Sequence, residues 1–210
     1  MLDLCVTPTV DIDNVISEIQ PILVGISSMT CAFSSALAIS KSVKQIHNIP
    51  VVMGGAHPTI FPEDVLQHAS VDFVVVGEGE DTLYQLLETI QDDGSKKHIG
   101  SLGNKKNGEI FINPRNPVID IESLPFPDYS FLDNEKYISF GEKYLGFRHL
   151  VVVMSRGCTG RCSFCAQHQV WGKQFRIFSP ERALSEIINL VNTYNVEGFW
   201  SKDSILIIKK

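Results

Sequence analysis

The stretch Phe73-Val74-Val75-Val76-Gly77-Glu78-Gly79-Glu80 decides how this chain is read. Four consecutive apolar residues without polar alternation are the pattern of a short strand covered on both faces, as strands of a parallel sheet are. The glycine turn behind them leads into a helical pattern over residues 81–91. Working outward, residues 22–26 and 50–53 are further buried-strand runs. Between them Phe33, Ala36, Leu37, Ser40, Val43 and Ile46 recur at helical spacing over residues 32–46. A polar helix over residues 11–20, capped by Asp11 or Asp13, precedes the first strand, and another over residues 63–68 precedes the third. Strand and helix alternate, so the predicted fold class is α/β, a Rossmann-like parallel sheet wrapped by helices.

Residues 99–102 and 109–112 flank a polar segment, 103–108, and read as a hairpin closing a first domain, 1–113. Pro114, Pro117, Pro125 and Pro127 then punctuate residues 114–147, the composition of a semi-rigid linker, with the boundary in or near residues 113–128. A third region, 148–210, opens with a buried-strand run at 150–154. Its helix starts at Ser179-Pro180-Glu181, with Ser179 as N-cap and Pro180 at the first helical position. Ala183, Leu184, Ile187, Ile188, Val191 and Tyr194 form one apolar stripe, and residues 196–200 supply the next strand. A lone β-α-β unit leaves its sheet half covered, and residues 204–210 read as an element cut short. The first strand also lacks an expected neighbour, so the chain reads as truncated at both ends.

With 210 residues, 44% of them hydrophobic, the chain has ample material for a packed core. Its apolar runs are far too short to span a bilayer and no basic-then-apolar leader opens it, which predicts a cytoplasmic location. A net charge of −6 with scattered Lys and Arg argues against a nucleic-acid partner. Of five cysteines, Cys5 and Cys31 stand alone and read as small buried residues, a distribution unlike a disulfide framework.

The other three lie within eight residues, as Cys158-x3-Cys162-x2-Cys165, directly after a buried strand. A structural zinc site asks for four ligands, and the spacing admits zinc if His168 supplies the fourth. A four-iron cluster on three cysteines leaves one iron open to a substrate or cofactor. Gly157 and Gly160 read as loosening this loop. Arg156 and Arg161 flank it, placed to offset cluster charge or to sit in solvent, and Asp203 follows the last strand, where a cofactor or substrate contact is expected. Trp171 and Trp200 read as packing residues.

Ligands of open parallel sheets bind beyond the carboxyl ends of the strands. Three strand-end loops qualify: Ser27-Ser28-Met29-Thr30, Gly54-Gly55-Ala56-His57-Pro58-Thr59 and Gly77-Glu78-Gly79-Glu80. Each alone also fits an ordinary strand-to-helix turn. His57 suits either ligand contact or packing, and carboxylates at positions 78 and 80 suit either a ligand or the helix dipole.

The cysteine spacing, with Phe164 just before Cys165, resembles the signature of the radical S-adenosylmethionine (SAM) superfamily. Ser27-Ser28-Met29 and Gly54-Gly55 resemble the serine and double-glycine elements of cobalamin-binding domains. Together with Pro58-Thr59, Gly77-Glu78-Gly79-Glu80 and Leu124-Pro125-Phe126-Pro127-Asp128-Tyr129, they resemble the cobalamin-dependent radical SAM subfamily. The resemblance implies a 4Fe-4S cluster on Cys158, Cys162 and Cys165, with SAM on the open iron and Phe164 near its adenine. It places cobalamin at Ser27, Ser28, Met29, Gly54, Gly55, His57, Pro58, Thr59, Gly77, Glu78 and Gly79. It also implies a partial (β/α) barrel beginning at residue 148, a flavodoxin- or ferredoxin-like electron donor and a small-molecule substrate. The expected chemistry is functionalisation of an unactivated carbon, methylation first, with ring closure or rearrangement, or binding without turnover, as alternatives. The 210-residue chain alone is expected to be inactive.

Overall fold

The computed structural model describes residues 1–92 and 98–205. Its contacts divide the chain into two compact units. The first comprises Asp11–Ile119 with Gln169–Trp171; the second comprises Met1–Val10, Asp120–His168 and Gly172–Lys210.

The first unit runs α1 (Ile12–Ile19), β1 (Val24–Ser27), α2 (Phe33–Ile46), β2 (Val51–Gly54), α3 (Ala56–Ile60), α4 (Pro62–Gln67), β3 (Phe73–Val75), α5 (Glu80–Gln91), β4 (Leu102–Lys106) and β5 (Glu109–Ile112). The five strands form one sheet in the order β1-β2-β3-β4-β5. β1, β2 and β3 are parallel, with Val24 opposite Val51 and Val52 opposite Phe73. β4 and β5 are antiparallel, so the sheet is mixed rather than parallel throughout. The hairpin turns at Asn107-Gly108, both at positive φ, as a two-residue turn matched to the strand twist requires. Residues 103–106, read from sequence as part of a polar turn, are therefore strand.

Successive strand residues point to opposite faces, and both faces are covered. Met53 and Val74 pack with Ala36 of α2 and Val65 and Leu66 of α4, whereas Val52 and Val75 pack with Leu86 of α5, Ile99 and Leu102. Burial on both sides is why β2 and β3 carry apolar residues without alternation. Asp11 caps α1 by accepting the Asn14 N–H, and Gln20, in the left-handed region, ends it.

The second unit holds α6 (Asn134–Leu145), β6 (His149–Val152), β7 (Ser155–Arg156), the start of α7 (Gln167–Trp171), β8 (Arg176–Ile177), α8 (Pro180–Tyr194) and β9 (Gly198–Ser201). β6 and β9 are parallel neighbours joined through α8, whose first turn Ser179 caps by accepting the Arg182 N–H. β7 and β8 pair antiparallel and bring the two ends of the cysteine-bearing segment together. A two-strand pair is not a barrel, and no barrel is formed by the described residues.

Three expectations change in this unit. Within residues 114–147 lies a twelve-residue helix, α6, and the proline-bearing part is clamped rather than free. The Arg182 guanidinium lies 4.5 Å from the Phe126 ring and 4.6 Å from the Phe178 ring, and donates to the carbonyl oxygens of Glu122 and Pro125. The Tyr129 hydroxyl donates to buried Glu186 at 2.7 Å, and burial pushes the Tyr129 pKa well above the usual phenol range. The run at 150–154 is buried on one side only, since Val151 and Val153 are exposed. Likewise the α8 stripe splits: Ala183, Ile187 and Tyr194 join the core, together with Leu190, which the stripe left out, while Leu184, Ile188 and Val191 are exposed. Residues 204 and 205 carry no regular structure, and the rest of the expected closing element, 206–210, lies outside the described residues.

The N-terminal residues join this unit through the Tyr137 hydroxyl, which donates to Asp3 at 2.6 Å. Burial and the Asp3 carboxylate push the Tyr137 pKa up to about 12.

Leu66 is fully buried in the first core, and its side chain fills the space beside Gly103 of β4. Leu66→Ala is expected to destabilise the first unit by about 2–5 kcal/mol, read from urea unfolding.

Candidate functional site

In the first unit, all three strand-end loops meet at the carboxyl edge of the parallel strands. The Ser28 N–H donates to the Gly54 carbonyl at 2.9 Å, the His57 N–H to the Ser28 carbonyl at 3.1 Å, and the Gly77 N–H to the Thr59 hydroxyl at 2.9 Å. The second loop coils at once into α3, so it is also a strand-to-helix turn. Pro58 is tolerated there because a first-turn residue needs no N–H.

Gly55 is the centre of this arrangement. Its φ is +93°, and a Cβ on it would lie 2.8 Å from Ser27 Oγ, 2.9 Å from the Ser28 carbonyl oxygen and 3.0 Å from the Ser28 nitrogen. Both the conformation and the space demand glycine. Ser28, His57 and Thr59 are buried and Met29 is 65% exposed. Pro58 is buried too, and Gly54, Gly77, Glu78 and Gly79 are half-buried. Glu80 and Asp81 occupy the first turn of α5, where the helix dipole favours acidic side chains.

His57 stacks on Phe33 with ring centroids 4.0 Å apart and packs against Phe61. Its Nδ1 shares a hydrogen bond with Thr30 Oγ1 at 3.2 Å, and its buried Nε2 has no partner among the described residues. Burial lowers the His57 pKa, opposed in part by the Asp64 carboxylate. Sequence reasoning missed Arg115, which donates to the Thr59 carbonyl at 3.4 Å and the Gln169 carbonyl at 2.7 Å. Those partners are more than fifty positions away, and no local pattern announces them.

In the second unit the three cysteines leave the carboxyl end of β6 on a loop whose stem is the β7–β8 ladder. Gly157 does not loosen this loop. With φ +83°, it is buried, and a Cβ there would collide with the Gln174 carbonyl oxygen, so glycine lets the two stem strands close. The Sγ atoms of Cys158 and Cys162 both lie within 4 Å of the point a Cβ on Gly160 would occupy, and the Gly160 N–H donates to Cys158 Sγ. The Cys165 N–H donates to the Cys162 carbonyl. Phe164 is 91% exposed, and Arg161 is exposed beside it.

Among the described residues no group of three or more His, Cys, Asp or Glu side chains is gathered to hold a metal ion. Cys158 and Cys162 thus face a common space, while Cys165 and the His168 considered for zinc are not assembled with them. As donors, three free thiols at this spacing fit a thiolate-bound iron-sulfur cluster. The first-unit loops fit a large polar cofactor, offering half-buried backbone at Gly54, Gly77 and Gly79 and an unpartnered His57 nitrogen.

The half-buried Asp203 carboxylate accepts from the Met154 N–H, Ser155 Oγ and Ser201 Oγ. Two single-residue expectations are corrected. Cys5 and Cys31 are exposed, Cys5 on a turn and Cys31 in a short 3-10 helix, Thr30–Ala32, that buries none of its residues. Trp200 is 49% exposed, with the Lys202 ammonium 4.2 Å above its ring.

Residues 1–87 match the family described as the B12 binding domain. An uncharacterized methyltransferase of Pyrococcus horikoshii is 34% identical over 203 residues, 95% of this chain and 43% of that protein. Over residues 1–87 the chain is similar to B12 binding domains, and over most of its length to proteins named methyltransferases. Anaerobic magnesium-protoporphyrin IX monomethyl ester cyclase of Cereibacter sphaeroides is 31% identical over 189 residues, 87% of this chain and 30% of that protein. In fold, the radical SAM methyltransferase TsrM from Kitasatospora setae, with cobalamin and a [4Fe-4S] cluster bound, matches 97% of this chain and 41% of its own, at TM-score 0.75 and 17% identity. The cobalamin-dependent radical enzyme OxsB, with aqua-cobalamin and SAM bound, matches 100% and 29%, at TM-score 0.75 and 20% identity. The chain thus spans well under half the length of these relatives. Among its described residues no helix is long and apolar enough to cross a membrane.

Two outcomes are expected at the B12-type loops. Gly55→Ala should lower stability by about 1–3 kcal/mol, measured by thermal unfolding, because it forces a side chain into a glycine-only conformation. His57 has a depressed folded pKa, so its contribution is complete above the ordinary imidazole value of 6.5 and is lost as pH falls from there through the folded value. Acid destabilisation over that window should be shallower in His57→Phe than in wild type.

Proposed function

We propose that this chain is the cofactor-binding part of a cobalamin-dependent radical SAM enzyme that functionalises, and first of all methylates, an unactivated carbon of a small molecule. The observation that carries the reading is the Cys158-x3-Cys162-x2-Cys165 loop at the carboxyl end of parallel strand β6, in a chain whose residues 1–87 match a B12 binding domain. Its relatives, by name methyltransferases and cyclases, support it.

In this reading Cys158, Cys162 and Cys165 bind a 4Fe-4S cluster as thiolates, and the exposed Phe164 ring offers a stacking face to the adenine of SAM. When bound, the cluster supplies an electron for reductive cleavage of SAM, and cobalamin carries a methyl group. The first unit receives cobalamin on the backbone of Gly54, Gly55, Gly77 and Gly79 and on Met29 and Glu78. Ser28, Pro58 and Thr59, all buried, shape that surface from behind, and Ser27 lies against Gly55. β6, α8 and β9 are the first elements of a (β/α) barrel, and a flavodoxin- or ferredoxin-like protein supplies the electron. A cytoplasmic location suits a reducible cluster and free thiols. A second reading, ring closure instead of methyl transfer, rests on the 31% identity to the monomethyl ester cyclase.

Anaerobic reconstitution is expected to load about four iron and four sulfide per chain, and alanine at Cys158, Cys162 or Cys165 should abolish most of that loading. Zinc alone, or no cluster, overturns the radical SAM reading. Retention of cobalamin through gel filtration, read from its visible spectrum, tests the first unit separately. Formation of 5′-deoxyadenosine by the whole enzyme separates turnover from binding, and a methylated or ring-closed product separates the two chemistries.

A further inference from the structure

The side chain of Asp203 reaches from beyond the end of β9 to the residues that follow the neighbouring parallel strand β6. Its Oδ1 accepts the Met154 N–H at 2.9 Å and the Ser155 hydroxyl at 2.6 Å; its Oδ2 accepts the Ser201 hydroxyl, whose oxygen in turn accepts the Asp203 N–H. Met154 and Ser155 are buried, and they join β6 to the β7–β8 stem of the cysteine loop. Bonds that a carboxylate accepts at buried positions are stronger than neutral ones, and without them the Met154 N–H would have no bonding partner in the core. On the other side of the stem the Phe178 N–H donates to the Met154 carbonyl, so both backbone groups of Met154 are held. The loop therefore starts from a fixed point, three residues before Gly157 and four before Cys158.

We propose that Asp203 is a positioning residue for the cysteine loop, holding its entry so that Cys158 and Cys162 face a common space before any metal arrives. This rests on the reading of that loop as the cluster site, but the fixing of the stem stands on the geometry alone. Asp203 touches neither a reacting group nor a cysteine; it acts through Met154 and Ser155.

The test uses the 210-residue chain in two forms. In the metal-free protein, trypsin cleavage at Arg156 and Arg176, the half-buried pair in the β7–β8 ladder, reports opening of the stem. Asp203→Ala should accelerate it about tenfold at temperatures well below its melting midpoint, because the loss of carboxylate-accepted bonds lowers the local opening energy. Asp203→Asn keeps a carbonyl oxygen able to accept from Met154 and Ser155, and should stay near wild type. In the reconstituted protein, Asp203→Ala should load less iron and broaden the spectrum of the reduced cluster in electron paramagnetic resonance, and Asp203→Asn should restore both. Equal cleavage rates in all three proteins, or an Asn variant as damaged as Ala, would overturn the proposal. If wild type loads no cluster while Asp203→Ala still speeds cleavage, the cluster reading fails and the positioning role survives. Should Asp203→Ala not fold, the Asp203→Asn and Ser155→Ala pair decides: Ser155→Ala removes one of the bonds and is expected to speed cleavage, whereas wild-type rates in it would count against the role.

Discussion

The close passage of the β2–α3 turn over the end of β1 is the constraint on which the first unit depends. Two parallel strands finish side by side, and the chain leaving the second must turn across the first without lifting away from it. Gly55 does this at positive φ, with Ser27 and Ser28 pressed where its side chain would be. Once that turn is made, the His57 N–H reaches the Ser28 carbonyl, and Thr59 is delivered to the Gly77 N–H. Three loops become one surface because of one missing Cβ. The hydrophobic layers beneath are what hold the strands at the spacing this passage needs.

A comparable device operates in the second unit. Gly157 lies against the Gln174 carbonyl, so the stem strands β7 and β8 close below the cysteines. Neither glycine provides looseness. Each permits a contact that any side chain would block, and each lies at the entrance to a candidate cofactor surface, where backbone has to be brought near a ligand. Asp203 adds a polar tie on the same stem, and Arg182 with Tyr129 binds residues 122–129 to α8. The proline-bearing segment therefore belongs to the packing of this unit, not merely to the path of the chain.

The relatives this chain resembles are named methyltransferases and cyclases. The features described in this chain fix the position of backbone: two glycine passages and a pinned stem.

Much was legible in the sequence because it is written at short range. The apolar runs at 51–53 and 73–76, the spacing within α2, the Asp11 and Ser179 caps and the Cys158-x3-Cys162-x2-Cys165 spacing each depend on neighbours a few positions apart, where the periods of strand and helix apply. What only the tertiary structure decided lies between residues far apart in the chain. The antiparallel turn of β4 against β3, the bonding of three loops around Gly55, the reach of Arg115 to Thr59 and of Asp203 to Met154, and the split of the α8 stripe into a core face and an exposed face are of this kind. Each is set by sheet register and by which surfaces happen to be covered, and a local pattern carries neither.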